Sequence, residues 1–326
     1  MAKPKVLATH RLFPAAQEIL NTSCEAEYWT RPERISKVDL FRQLKDKEGL
    51  VCLLTEKVND ELLQAAPKLR IAANVAVGFD NIDVAACTRR NVVATNTPGV
   101  LDETTADFAW TLLMAVARRL GEGEAMVRSG DWKGWDLDQL VGTDVWGKTL
   151  GIVGFGRIGR AMARRASGFQ MKVIYTDVVR APEAAEKELH AEYRDMNGLL
   201  ADADFISVHV PLLPETRGLF DAPKFWRMKP TAFLINTSRG PVVDEVALVQ
   251  ALESKKIAGA ALDVFESEPF IHSGLRRPNV VLAPHIASAS IETRTKMACM
   301  AAENVVALFN GQRPANMLNP EVLKGS

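Results

Sequence analysis

Residues 149–177 constrain the fold of this 326-residue chain more than any other stretch. Thr149–Val153 is a short apolar run with the length of a buried parallel strand. Gly154, Gly156 and Gly159 follow at G-x-G-x-x-G spacing, and Arg157–Ser167 reads as a helix with Ile158, Ala161, Met162 and Ala166 apolar. Residues 172–176 form a second strand that ends at Asp177. Strand, glycine turn, helix and strand in this order make a βαβ unit. Such a unit requires a parallel sheet with helices on its faces.

Each part of the turn has a physical task. Gly154 permits the tight turn, Gly156 lets the backbone approach a pyrophosphate, and Gly159 lets the helix sit against its strand. The helix N-terminus offers unpaired N–H groups and a positive dipole end to phosphates. Asp177, eighteen residues past Gly159, stands where a carboxylate accepts hydrogen bonds from a ribose 2′-OH. The spacing and its context predict a dinucleotide-binding domain.

The chain is long enough for two domains. Lysines and arginines balance acids at 40 each, so no basic field invites nucleic acid or an anionic membrane surface. An anionic ligand must therefore meet local charges. The four cysteines, Cys24, Cys52, Cys87 and Cys299, show neither C-x-x-C nor metal spacing, so buried free thiols and no metal site are expected. The N-terminus runs straight into a strand without a signal-peptide segment, and no stretch is long enough to span a bilayer. A cytoplasmic protein is expected.

Strands are predicted at residues 5–9, 26–29, 50–54, 71–75 and 92–95, with helices near 14–21, 36–45, 60–66 and 83–89. This βαβα order predicts a small parallel sheet without a glycine fingerprint of its own. Residues 102–119 form a long, mostly apolar helix that Gly121 and Gly123 are expected to end. Residues 129–147, rich in Gly and Trp, read as an irregular crossing between domains. Further strands are predicted at 204–210, 232–236, 258–264 and 279–283, and a helix at 244–254. The amphipathic helix Ile291–Phe309 is expected to pack back on the first domain. The fold class is therefore α/β, with two Rossmann- or flavodoxin-like parallel-sheet domains. The nucleotide domain, residues 101–288, is inserted into a substrate domain made of 1–100 and 289–326.

Ligands in open parallel sheets sit at the carboxyl ends of strands. Arg239, Asp263 and His285 all lie at or just past such ends. A guanidinium at Arg239 can hold a carboxylate bidentately and polarise a neighbouring carbonyl. His285 can give a proton to an oxygen that is becoming an alkoxide. Glu268 is a plausible partner that fixes the imidazole's orientation and favours its charged form. His272 is the strongest competitor, and His209 stands at a strand end near the cofactor. Val77 and Gly78, at the end of a first-domain strand, can offer backbone N–H groups to a carboxylate. Leu54, Val77 and Trp135 are candidates to line the side-chain pocket.

The chain resembles the D-isomer-specific 2-hydroxyacid dehydrogenases through almost its full length. The matching runs are Val-Gly-Phe-Asp-Asn-Ile-Asp at 77–83, Asn-Thr-Pro at 96–98, Thr-Ala-Asp at 105–107 and the glycine fingerprint at 147–159. His-Val-Pro-Leu at 209–212, Asn-Thr-Ser-Arg-Gly at 236–240, Ala-Leu-Asp-Val-Phe at 261–265 and Pro-His-Ile-Ala-Ser at 284–288 complete them. Within the family it looks most like glyoxylate and hydroxypyruvate reductases. The resemblance implies reduction of a small 2-oxoacid, with Arg239, Glu268 and His285 as the catalytic set. It also implies cofactor contacts at Thr105, Arg157, Ile158, Asp177, Pro211, Thr216, Thr237 and Asp263. It implies a homodimer formed through the nucleotide domain.

Several glyoxylate-reducing relatives carry Ser-Arg-like residues after the second strand to take a 2′-phosphate. Here Asp177 repels that phosphate, although Arg180 lies nearby, so NAD(H) is favoured over NADP(H). Phosphite oxidation and a 3-phosphoglycerate dehydrogenase-like activity remain as rivals. Formate oxidation is disfavoured, because formate enzymes place glutamine where Glu268 lies. A rival of another class is an NAD-sensing binding protein like the family's corepressors. Those carry long unstructured tails, which are absent from this sequence.

Overall fold

The structure is a computed structural model and describes residues 2–323. It divides into two compact units: residues up to Leu101 together with those from Ala289 onward, and Asp102–Ser288.

The first unit runs β1 (Lys5–Ala8), α1 (Pro14–Ser23), β2 (Glu25–Tyr28), α2 (Lys37–Leu44), β3 (Gly49–Cys52), α3 (Asp60–Ala65), β4 (Ile71–Asn74), α4 (Val84–Arg89) and β5 (Val93–Thr95). All its strands pair parallel in the order β2-β1-β3-β4-β5. This is a doubly wound order with its switch point between β1 and β3. Local sequence explains the helix starts. The Ser36 hydroxyl accepts from Asp39 N–H, and Asn59 and Asp83 cap α3 and α4 in the same way. Pro14 opens α1, where its missing N–H costs nothing.

The second unit runs α5 (Asp102–Ala117), α6 (Leu120–Ser129), β6 (Thr149–Val153), α7 (Arg157–Ser167), β7 (Lys172–Thr176), α8 (Glu183–Leu189), β8 (Ala191–Tyr193), α9 (Met196–Asp202), β9 (Phe205–Val208), α10 (Ala222–Arg227), β10 (Phe233–Asn236), α11 (Glu245–Glu253), β11 (Gly259–Leu262) and β12 (Val280–Leu282). Its seven strands are all parallel, in the order β12-β11-β10-β9-β6-β7-β8, and the switch point falls between β6 and β9. Alternate residues serve opposite faces. Ile152, Tyr175, Phe205 and Ile235 pack into one core, and Val153, Ile174, Ile206 and Leu234 into the other. Both faces are covered, which is why these strands read as continuous apolar runs rather than alternating ones.

The last helix, α12 (Ile291–Phe309), returns to the first unit and packs on α1, β3 and β4, as its apolar stripe predicts. Gly49 admits it: a Cβ there would stand 3.2 Å from the Phe309 ring.

Two expectations require correction, and one edge strand lies outside the expected set. Gly121 and Gly123 do not end the long helix. The chain breaks earlier, at Arg119, which takes the left-handed conformation with φ 52°, and both glycines lie inside α6. Periodicity cannot register a break made by one residue's dihedral, because the apolar content continues across it. Residues 129–147 are irregular beyond Gly130, but they belong wholly to the second unit and cross no boundary. The edge strand β8 went unread, because three residues with one buried side chain leave no periodic signal.

Candidate active site

β10, β11 and β12 lie side by side, and their carboxyl ends carry the loops that hold Arg239, Asp263 and His285. His285 has φ 58°, a left-handed backbone that a non-glycine residue keeps only when its surroundings over-determine it. Asp263 does so. Its carbonyl accepts from His285 N–H at 2.8 Å, and its two carboxylate oxygens accept from Ile286 and Ala287 N–H, each at 2.8 Å. Asp263 is fully buried, and burial pushes its carboxyl up against the pull of those N–H groups. In this structure Asp263 acts first as a backbone clamp on the 285–287 turn.

The imidazole Nδ1 of His285 donates to Glu268, at 2.9 Å from Oε2 and 3.1 Å from Oε1. This pairing leaves Nε2 as the ring atom available to a substrate. Burial works to raise the Glu268 carboxyl. The bonds from His285 and Phe265 N–H and the Arg239 charge overcome it, and the carboxyl settles below the usual glutamate range.

Arg239 has an extended backbone. Its loop is tied by Asn236, whose amide donates to the Arg239 carbonyl at 3.0 Å and whose oxygen accepts from Ser238 N–H and hydroxyl. Gly240 follows in close contact with the segment leading to Glu268. A Cβ there would stand 1.9 Å from the Phe265 carbonyl carbon, so only glycine allows the two loops this approach. Glu245, buried at the start of α11, pins the same segment by accepting from Glu266 N–H at 2.7 Å. Asn236 and Glu245 escaped the sequence reading, since neither stands in a pattern that marks it apart from an ordinary strand end or helix start.

The competing histidines have other employment. His272 Nδ1 accepts from Gly274 N–H at 3.1 Å and caps a short turn. His209 Nε2 pairs with the Ser207 hydroxyl at 2.8 Å, and burial pushes its pKa down to about 4, so it is neutral near pH 7.

At the glycine turn, Gly154 has φ 92°, and a Cβ would stand 2.8 Å from the His209 carbonyl. Gly159 lies so close under the turn that a Cβ would meet Gly154 O at 2.2 Å. Gly156, which caps α7 without a side chain, faces open space with no atom within 4 Å of its Cβ position. An open backbone face at the N-terminus of an eleven-residue helix suits a pyrophosphate. Arg157 and Ile158 form that first turn. The Asp177 carboxylate is held at the turn, accepting from Phe155 N–H at 2.6 Å and Val178 N–H at 2.7 Å. Thr237, beside Arg239, has a buried hydroxyl without a protein partner, as a group awaiting a ligand amide would. Thr105 is buried on α5. Thr216 folds its own loop by donating to Pro211 O at 2.6 Å, and Pro211 is exposed. These features fit a nicotinamide dinucleotide.

In the first unit, Asn96 donates to Val77 O at 2.8 Å and Asn74 to Gly78 O at 2.9 Å. A trans peptide sets the Gly78 N–H opposite the Val77 carbonyl, so the Asn96 amide fixes its direction. Cys24, Cys52 and Cys87 are buried free thiols, and Cys299 is partly buried. Among the described residues no cluster of His, Cys, Asp and Glu forms a metal centre, and no helix is long and apolar enough to cross a membrane.

Residues 110–287 match the family model "D-isomer specific 2-hydroxyacid dehydrogenase, NAD binding domain". The glyoxylate reductase of Thermococcus litoralis is 49% identical over 329 residues, covering 99% of each chain. That of Korarchaeum cryptofilum is 50% identical over 325 residues, covering 99% of this chain and 98% of its own. Among solved structures, a protein of Thermus thermophilus superposes with TM-score 0.90 at 38% identity, over 96% of this chain and 99% of its own. The NADPH-dependent glyoxylate/hydroxypyruvate reductase of Sinorhizobium meliloti, solved with NADP and malonate, gives 0.85 at 33% identity over 98% of both.

Proposed function

Because the chain belongs to the D-isomer-specific 2-hydroxyacid dehydrogenase family, we propose that it reduces a small 2-oxoacid, glyoxylate or hydroxypyruvate, with NADH. The observation that carries this reading is the His285–Glu268 pair, set beside Arg239 at the strand ends. Arg239 binds the substrate carboxylate and the C2 carbonyl oxygen through its planar fork. The nicotinamide, when bound, supplies hydride to C2. His285 passes its Nε2 proton to the carbonyl oxygen as negative charge grows there, and solvent returns that proton afterwards. Glu268 holds the ring in orientation and offsets its charge. Val77 and Gly78 give N–H groups to the carboxylate. Thr105, the 154–159 turn, Pro211, Thr216, Thr237 and Asp263 serve the cofactor.

NADH is favoured over NADPH because Asp177 puts a fixed negative charge at the ribose end of the turn. Phosphite or phosphoglycerate oxidation is not favoured, because the full-length relatives at 46–50% identity are glyoxylate reductases. A purely NAD-sensing role leaves the charged acid pair without a task.

The test follows NADH absorbance with glyoxylate across pH, in the wild type and in Glu268→Gln. Reduction needs a proton on Nε2, and the Glu268 carboxylate orients the ring that carries it by accepting from Nδ1. Since the Glu268 carboxyl is depressed in the folded protein, the pair is intact above the ordinary glutamate range and is lost as pH falls through the depressed value. Glu268→Gln is therefore expected to remove the acid limb of the kcat/KM profile, because no carboxyl is left there to titrate. An unmoved limb removes Glu268 from the acid pair, and no NADH oxidation by the wild type rejects the whole reading.

A homodimer through the second unit is part of the proposal. α6 buries no residue, and Leu120, Val127, Trp132, Trp135 and Trp146 are exposed on it and on the segment that follows. An apolar surface of this kind marks an interaction site. Light scattering on the wild type is expected to give twice the 35.8 kDa chain mass. Trp135→Glu should weaken the dimer by roughly tenfold or more, as loss of a central aromatic does. A monomeric wild type would reject the dimer.

A further inference from the structure

We propose that Glu186 determines cofactor choice: it locks Arg180 in a bidentate ion pair and so withholds that guanidinium from a 2′-phosphate. The inference rests on the NAD(H) reading above and adds a second residue to it.

Arg180 stands three residues past Asp177, on the loop that leaves β7. It is the cation that a 2′-phosphate at this position would recruit. Its Nε donates to Glu186 Oε1 and its terminal nitrogen to Oε2, both at 2.9 Å. Both carboxylate oxygens are thus matched to the fork. Glu186 is itself anchored. The Tyr175 hydroxyl donates to its Oε1 at 2.5 Å and accepts from Ala181 N–H at 2.9 Å, and the Tyr175 side chain is fully buried. The Glu186 side chain is only 11% exposed, against 65% for Arg180. The latch is therefore built from the buried side and holds an exposed cation from within. Arg180 and the Tyr175 hydroxyl keep the Glu186 carboxyl well below its usual range, so it is charged near pH 7. The guanidinium also lies 5.7 Å from the Tyr193 ring, which steadies the latched pose.

Two devices thus act in the same direction. Asp177 repels a 2′-phosphate, and Glu186 occupies the cation that would otherwise attract one. Removing Asp177 alone leaves Arg180 paired. The latch depends on the carboxylate's charge and its two acceptor oxygens, so a neutral residue at 186 releases Arg180. Glutamine serves, because it still accepts the Tyr175 hydroxyl.

Calorimetric titration of the full chain with NADH and NADPH tests this, alongside glyoxylate kinetics with each. Asp177→Ser is expected to tighten NADPH about tenfold, and Asp177→Ser/Glu186→Gln about tenfold further, the scale of one charge-assisted hydrogen bond. Adding Arg180→Ala should erase the second gain alone, with NADH affinity the same in the double and triple variants. No gain from Glu186→Gln overturns the latch, as does a gain that survives Arg180→Ala. A wild type that prefers NADPH overturns the NAD(H) reading instead. In that case Arg180→Ala in the wild type decides the latch: a fall in NADPH affinity overturns it, and unchanged affinity supports it.

Discussion

Replacing His285 with asparagine is expected to lower kcat for glyoxylate reduction by roughly 10²–10⁴-fold, the range for loss of a positioned general acid. The NADH dissociation constant should stay within about twofold. Asparagine is the right probe because residue 285 sits at φ 58°, and asparagine adopts that region more readily than alanine. The Asp263 clamp acts on the backbone of residues 285–287 and survives the change. Only the proton-donating ring is lost. Fluorescence titration of NADH beside steady-state turnover gives both numbers. A parallel fall in turnover and NADH affinity would make His285 a structural residue.

Arg239→Gln is expected to reduce kcat/KM for glyoxylate by roughly 10³-fold, through loss of a charge and of the two-pronged grip on the carboxylate. The loop should not move, because Asn236 holds it through the backbone and Gly240 fixes its approach to Phe265. Arg239→Lys should recover little, since an ammonium lacks the planar fork. A second effect follows from the shared electrostatics. The Arg239 charge helps to depress the Glu268 carboxyl, so its removal moves that carboxyl upward. The pair then loses its negative member at a higher pH, and the acid limb of the activity profile shifts up. Full recovery by lysine would show that Arg239 contributes only a point charge.

Much of this site was legible in the chain. The glycine turn announced itself because each glycine answers a local need, for a turn, an open face or a close approach. Arg239 and His285 stood out because parallel strands deliver their loops to one edge, so a strand-end position is already a spatial statement. Chemistry alone pairs Glu268 with His285, because the bond spans 17 residues and one strand and has no periodic signature. Asp263 was expected at the cofactor, and its grip on the 285–287 turn was not foreseen.

Sequence alone determined the strand and helix alternation, the helix caps and the nucleotide turn, because these depend on neighbours within a few residues. Tertiary structure decided the strand order, the break at Arg119, the edge strand β8, and the partners chosen by Arg180, Glu268 and Asp263. Those outcomes depend on which groups meet after the sheets assemble. A carboxylate near in the chain and one far along it look the same in a string of letters, and only packing selects the one within hydrogen-bond reach.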